Sequence, residues 1–160
     1  RSLDPAVREM KIAVEAGQET ISLAPTRRRK RGRVDQLAAA AEPIDLMIRN
    51  TRVLARACQR AIDLDEHIPP VVADSIRDLA TSVSRLDRHL GGAPVRSTAR
   101  EAALRAAAKA TAALEETSNL SVSVIVGQIR SAATDLLLGL GMTNDQALDQ
   151  VRSAREKLGI

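Results

Sequence analysis

The sequence predicts an all-α protein, an antiparallel helical bundle of about six helices in a single domain of 160 residues. Two observations carry this. Apolar residues recur at alternating spacings of three and four through most of the chain, the period of a helix with one buried face. Phe, Tyr and Trp are absent although 44% of the residues are hydrophobic. The core must therefore be built from Ala, Leu, Ile, Val and Met, side chains that suit closely packed helices. A chain of this length can bury one substantial core but would be cramped as two domains.

Asp4-Pro5 reads as the first helix start, with a capping carboxylate and proline at the first helical position. Leu3, Val7, Met10, Val14, Gly17 and Ile21 then draw one stripe, ending near Pro25. A second helical stretch, 34–66, is expected to kink or restart at Pro43, which lacks the donor an interior position needs. Its stripe is Ile44, Met47, Ile48, Thr51, Leu54, Ala55, Cys58 and Ile62. Pro69-Pro70 opens a third helix whose stripe, Val72, Ile76, Leu79, Val83, Leu86 and Leu90, predicts packing against nearly antiparallel neighbours. Gly91-Gly92-Ala93-Pro94 ends it.

The stretch 95–116 is alanine-rich, which lets a partner helix approach closely, and Thr98 and Glu101 have the spacing of a capping box. In the next segment Leu120, Val122, Val124 and Val126 alternate as a strand would. The longer window favours a helix, because Val122, Ile125, Val126, Ile129, Ala133, Leu136, Leu137 and Leu140 hold one face. Ser123, Gly127 and Ser131 recur every four residues, a spacing for tight helix packing. Gly141 stops this helix, and Thr143 with Gln146 caps a last one carrying Leu148, Val151, Arg155 and Leu158. The expected core includes Leu79, Val83, Leu86, Ile129 and Leu136.

Charge is concentrated in one place. The stretch 26–33, TRRRKRGR, holds Arg27, Arg28, Arg29, Lys30, Arg31 and Arg33, and is expected as a basic connection between two helices or on the first turn of the second. The whole chain has 24 Lys+Arg against 20 Asp+Glu, net +4; without those six the balance is 18 against 20, net −2. A basic charge this local weighs against nucleic acid, whose binders spread phosphate contacts over a face or stack bases on aromatic rings. Cys58 is the one cysteine, so no disulfide forms within the chain, in agreement with a reducing compartment. The longest uncharged run, 117–129, has 13 residues with four hydroxyl and two amide side chains, short of the ~20 apolar residues a spanning helix needs. The chain opens on Arg1 without an initiator methionine. The expectation is a piece of a longer protein whose membrane segments lie outside it.

No residues draw together as a catalytic centre, and no enzyme activity, cofactor or metal is expected. His67 lies near Asp63, Asp65 and Glu66, which reads as an acidic helix end with an exposed histidine rather than a metal site. His89 reads as a surface residue near a helix end. Cys58 falls on an apolar stripe and reads as a packing thiol, since a nucleophile needs exposure and a base. Gly139 and Gly141 lack the strand, third glycine or Lys-Ser/Thr of a phosphate loop. Asp135, inside an apolar helix one turn from Arg130, reads as a partly buried carboxylate in an ion pair or capping a neighbouring helix.

The stretch LSVSVIVGQIRSAATDLLLGLGM, the capped helix TNDQALDQVRSAREKLG and the upstream IDLMIRNTRVLARACQRAI resemble actinobacterial members of the fusaric acid resistance-like, or aromatic acid exporter, family. The resemblance covers about 42–158. It implies a cytoplasmic, non-enzymatic helical domain following the last membrane helices of a transporter that exports aromatic carboxylic acids or similar compounds. Its role would be structural, regulatory or in oligomerisation, its partners the protein's own transmembrane block and a further copy of the chain. A basic segment below the inner leaflet would face anionic lipid. The alternative is a free-standing helical regulator or adaptor, which would use clustered acidic residues on facing helices to bind metal.

Overall fold

The structure, a computed structural model, describes residues 5, 8–9, 12–16 and 28–160, and for 28–31 the backbone. Asp4 and the stripe residues Leu3, Val7, Met10, Gly17 and Ile21 lie outside the described residues; Val14, on the same stripe, is helical and half-buried. The described residues contain helix and no strand. Five long helices follow the leading helical stretch: α1 (Arg28–Asp63), α2 (Pro70–Leu90), α3 (Arg96–Glu116), α4 (Leu120–Gly139) and α5 (Asn144–Leu158).

They form an antiparallel bundle. Ser75 and Ser82 of α2 donate to Ala106 and Ala99 of α3, a rising position on one helix meeting a falling one on the other. Arg33 with Gly91, Asn50 with Asp135, and Arg96 with Leu140 fix the same sense for the other pairs. The start of α1, the end of α2, the start of α3 and the end of α4 therefore share one end of the molecule. Helix α4 touches the other four, and α3 touches α2, α4 and α5. Helices α1 and α2 barely meet, which leaves an open seam between them.

Helix α1 is continuous over 36 residues and runs through Pro43. This corrects the expected interruption: the proline forfeits the bond to the carbonyl four residues back, yet the helix holds because its following turns pack along α4. Near its last turn α4 carries Gly139, where an added Cβ would already contact Leu86 and Pro43, so α1 and α2 both come close there.

The stripe read for α4 is buried throughout, whereas on α2, α5 and α1 the buried face is turned slightly from the stripe read off the sequence. On α2 the buried residues are Val72, Ser75, Leu79, Ser82 and Leu86. Val83, expected in the core, is 38% exposed at the open seam. Its place is taken by two serines, because α3 presents alanines there and its backbone lies close enough for each hydroxyl to reach a carbonyl, at 2.6 and 2.8 Å. A valine has neither the small size nor the donor. On α5 the buried positions are Ala147, Val151 and Ala154, while the expected Leu148 and Leu158 are exposed. On α1 they are Ala40, Ala41, Met47, Leu54 and Ala61, and Ile62 is exposed. Leu79, Leu86, Ile129 and Leu136 are buried as expected.

The stretch 122–126 is helical, and α4 contributes Val122, Ile125, Val126, Ile129, Leu136 and Leu137 to the core. By length and composition α4 could cross a bilayer, with a mean hydropathy of 1.2 over its most apolar window, but here it packs against each of the other four long helices. Its ends are well defined. Asn119 accepts from the backbone of Ser121 and Val122, and at the other end Arg96 Nε donates to Leu140 O at 2.6 Å. Gly141 follows at φ +78°, a left-handed turn that favours glycine. The expected Thr143–Gln146 capping box is present. The Thr98–Glu101 box is not: the N-cap of α3 is Val95, three residues earlier, and Thr98 Oγ1 donates back to Val95 O.

Candidate lipid-facing end

Of the six basic residues, Arg27 lies outside the described residues. Arg28, Arg29, Lys30, Arg31 and Arg33 belong to α1, so these five lie at the start of the longest helix, the second of the two placements expected. The first turn of α1 carries no acidic residue. A run of cations at a helix N-terminus opposes the macrodipole, which favours anions there. Helix formation alone gives no reason for this placement.

Arg33 is exposed, but its Nη2 donates to Gly91 O at 2.8 Å, and Gln36 meets His89 at 2.8 Å between side-chain nitrogens. These contacts put Arg33 level with the end of α2. Residues 28–32 therefore extend roughly one turn beyond it. His89, read as a surface residue, is half-buried and forms part of this junction. Arg88 is exposed beside it. Arg96 and Arg100 both donate to Leu140 O, so their charge is committed to the C-terminal carbonyls of α4. Burial, and then the neighbouring charge of Arg96, lowers the pKa of Arg100.

The remaining candidates do not converge. His67 is exposed, and α1 ends at Asp63, so the two do not share a helical face. Asp63 accepts from Gln59 instead. Among the described residues no group of three or more His, Cys, Asp or Glu side chains could hold a metal ion. Cys58 is half-buried against the core, and burial raises its thiol pKa, the opposite of what a nucleophile needs. Asp135 is buried, as expected, but its partner is Asn50 of α1, whose Nδ2 donates at 2.7 Å; Arg130 reaches Thr111 of α3 instead. Burial raises the Asp135 pKa, and the bond from Asn50 draws it partly back. Ser123, Gly127 and Ser131 are exposed, and a Cβ on Gly127 would meet nothing within 4 Å. The expected tight packing through these three is not used inside the bundle.

One feature was not legible in the sequence. The seam between α1 and α2 is an apolar groove of about 550 Å³ lined by Leu37, Ile44, Met47, Val83, Leu86 and Leu90. The stripe containing Val83, Leu86 and Leu90 was visible, but the gap that exposes it depends on which helices pair.

No protein-family model matches the chain, and no solved structure is significantly similar to it. It is 31% identical over 157 residues to an uncharacterized protein of Corynebacterium glutamicum. That alignment takes in 92% of this chain and 40% of the relative, so the chain spans about two fifths of the length of the curated relative it matches.

Proposed function

We propose that the chain is a cytoplasmic, non-enzymatic helical domain of a longer membrane transporter, one that exports aromatic carboxylic acids or similar compounds, and that the basic start of α1 faces the anionic headgroups of the inner leaflet. The observation that carries the lipid contact is the cluster's place: cations fill the first turns of α1, against the helix dipole, at an end of the bundle. Each Lys or Arg near an anionic surface contributes about 1 kcal/mol, which offsets that cost. Aligned over two fifths of its relative, the domain leaves room in such a protein for a membrane block. The packing of α4 against the other four long helices supports a bundle that lies outside the bilayer.

Sedimentation with vesicles tests the contact. The domain is expected to bind vesicles containing anionic lipid, to ignore neutral ones, and to release in high salt, since exposed charges are screened over ~10 Å at 0.1 M. Replacing Arg27, Arg28, Arg29, Lys30, Arg31 and Arg33 with Gln should abolish binding. Arg33→Gln alone should have the smallest effect, because that guanidinium is already engaged with Gly91. Equal binding by the six-fold variant would sink the lipid contact, and tight duplex DNA binding that survives physiological salt would replace it. A full reading frame without hydrophobic spans before Arg1 would remove the transporter assignment.

A further inference from the structure

Helix α4 carries two ionisable side chains, Arg130 and Asp135, and the fold separates them. Asp135 is bound by Asn50 of α1, while Arg130 reaches α3, where its Nη1 donates to Thr111 Oγ1 at 3.1 Å. Glu115, one turn along α3 from Thr111, could have matched that charge, but Arg155 of α5 holds it at 2.6 Å. Arg130 is therefore a half-buried cation with a neutral partner, and its desolvation is not offset by a carboxylate. A second unmatched guanidinium stands on α5. Arg152 has Asp149 three residues before it and Glu156 four after it, yet among the described residues it forms no ion pair and no hydrogen bond.

Both arginines line one cavity of about 270 Å³ in the cleft between α4 and α5, together with Gly127, Ser131, Thr134 and Leu148. No carboxylate lines it. The Thr134 hydroxyl donates to Arg130 O at 3.1 Å, so the side-chain donors left to a ligand are the two guanidinium groups and the Ser131 hydroxyl. Gly127 keeps the α4 wall open, since a Cβ there would meet nothing within 4 Å. We propose that this cleft binds a small oxyanion carrying two negative charges, of which inorganic phosphate is the type. A guanidinium fork meets such an anion with paired N–H···O bonds, and two forks on neighbouring helices match its two charges. The volume is at the small end of the range for ligand pockets, which suits a compact anion and not a large organic one. The cleft lies along the middle of α4, away from the basic start of α1, so it does not depend on the lipid contact.

Isothermal titration calorimetry of the 160-residue chain with inorganic phosphate, at constant ionic strength and without lipid, tests the site. The parent should bind one phosphate per chain, and phosphate should raise its melting temperature above that in chloride of equal ionic strength. Arg152→Gln should weaken binding by more than ~10-fold, the loss of a charge-assisted pair of hydrogen bonds. Its melting in chloride should stay at the parent's value, because Arg152 is exposed and engages nothing in the fold. Arg152→Lys keeps the charge but not the fork, and should fall between the two. Arg130→Gln should also lose binding; since it gives up the contact with Thr111, Arg152→Gln is the deciding variant. Replacing Arg28, Arg29, Lys30 and Arg31 with Gln should leave phosphate binding intact. No binding up to ~10 mM phosphate, binding indifferent to Arg152→Gln, acetate binding as tight as phosphate, or loss of phosphate binding on changing the start of α1 would each overturn the proposal.

Discussion

Ser75 and Ser82 occupy positions that a hydropathy reading assigns to the solvent side, yet both are fully buried and donate to carbonyls of α3. Ser82→Ala should cost about 0.5 to 1.5 kcal/mol in chemical denaturation, the net worth of one hydrogen bond. Ser82→Leu should cost more, because it forces extra volume between two helices in close approach. An unchanged midpoint for the leucine variant would mean that α2 and α3 are not held this close. Asp135 makes a prediction in pH. Its pKa is raised above the ordinary 3.8 by burial, so the folded state binds the proton more tightly than the unfolded chain. The stabilisation from that proton is full below the ordinary value and is lost as pH rises through the folded one. Relative to Asp135→Asn, which still offers Asn50 an acceptor, the parent should gain stability as pH falls from neutral towards about 4. A pH-independent difference between the two would contradict a buried carboxyl. In the sequence Asp135 was legible as a buried acid, but Arg130 looked like its partner because the two share a helix. Asn50, 85 residues away in the chain, could not be seen until α1 was laid along α4.

Helix ends show the same division. The Thr143–Gln146 box and the Gly141 stop were legible because each is a local device, complete within four residues. Arg96, which caps the last carbonyl of α4 from 44 residues away, gives no local signal. The start of α1 is the element with the clearest energetic oddity. Replacing Arg28, Arg29, Lys30 and Arg31 with Gln should leave thermal stability unchanged or raise it at low ionic strength. Each cation removed from the first turn relieves roughly 0.3 to 1 kcal/mol of unfavourable dipole interaction. The gain should shrink in high salt, and the same variant should lose vesicle binding. A clear loss of stability would instead show that these side chains brace the bundle.

For the molecule as a whole, the unusual feature is a core helix made of alanine. Ala99, Ala102, Ala103, Ala106, Ala107, Ala108, Ala110 and Ala113 are all buried, on more than one face, because α3 is packed by α2, α4 and α5. Ala106→Leu should therefore destabilise by about 1 to 3 kcal/mol or more through overpacking. Leu86→Ala should cost about 2 to 5 kcal/mol by opening a cavity beside Gly139. Val83→Ala, one seat away but at the open seam, should cost far less in the monomer. Denaturant titration of the three variants checks the order; a Val83 effect as large as that of Leu86 would mean that the seam is closed within one chain.

The sequence by itself determined that the chain is helical, where most helices break, and that its excess charge sits in one short segment. These are properties of residues a few positions apart: period, proline, glycine, caps and charge runs. The buried face of α4 was legible as well, but tertiary structure decided the exact edge of the buried face on α1, α2 and α5. Alanine and serine are neutral on hydropathy, and whether they line a core depends on how near the next backbone comes. That is why the stripes through Val83, Leu148 and Ile62 were each set slightly off the buried face. The same pairing of helices decided that α1 would lie on α4 rather than α2, and so left an apolar groove where the sequence alone would have placed a closed core.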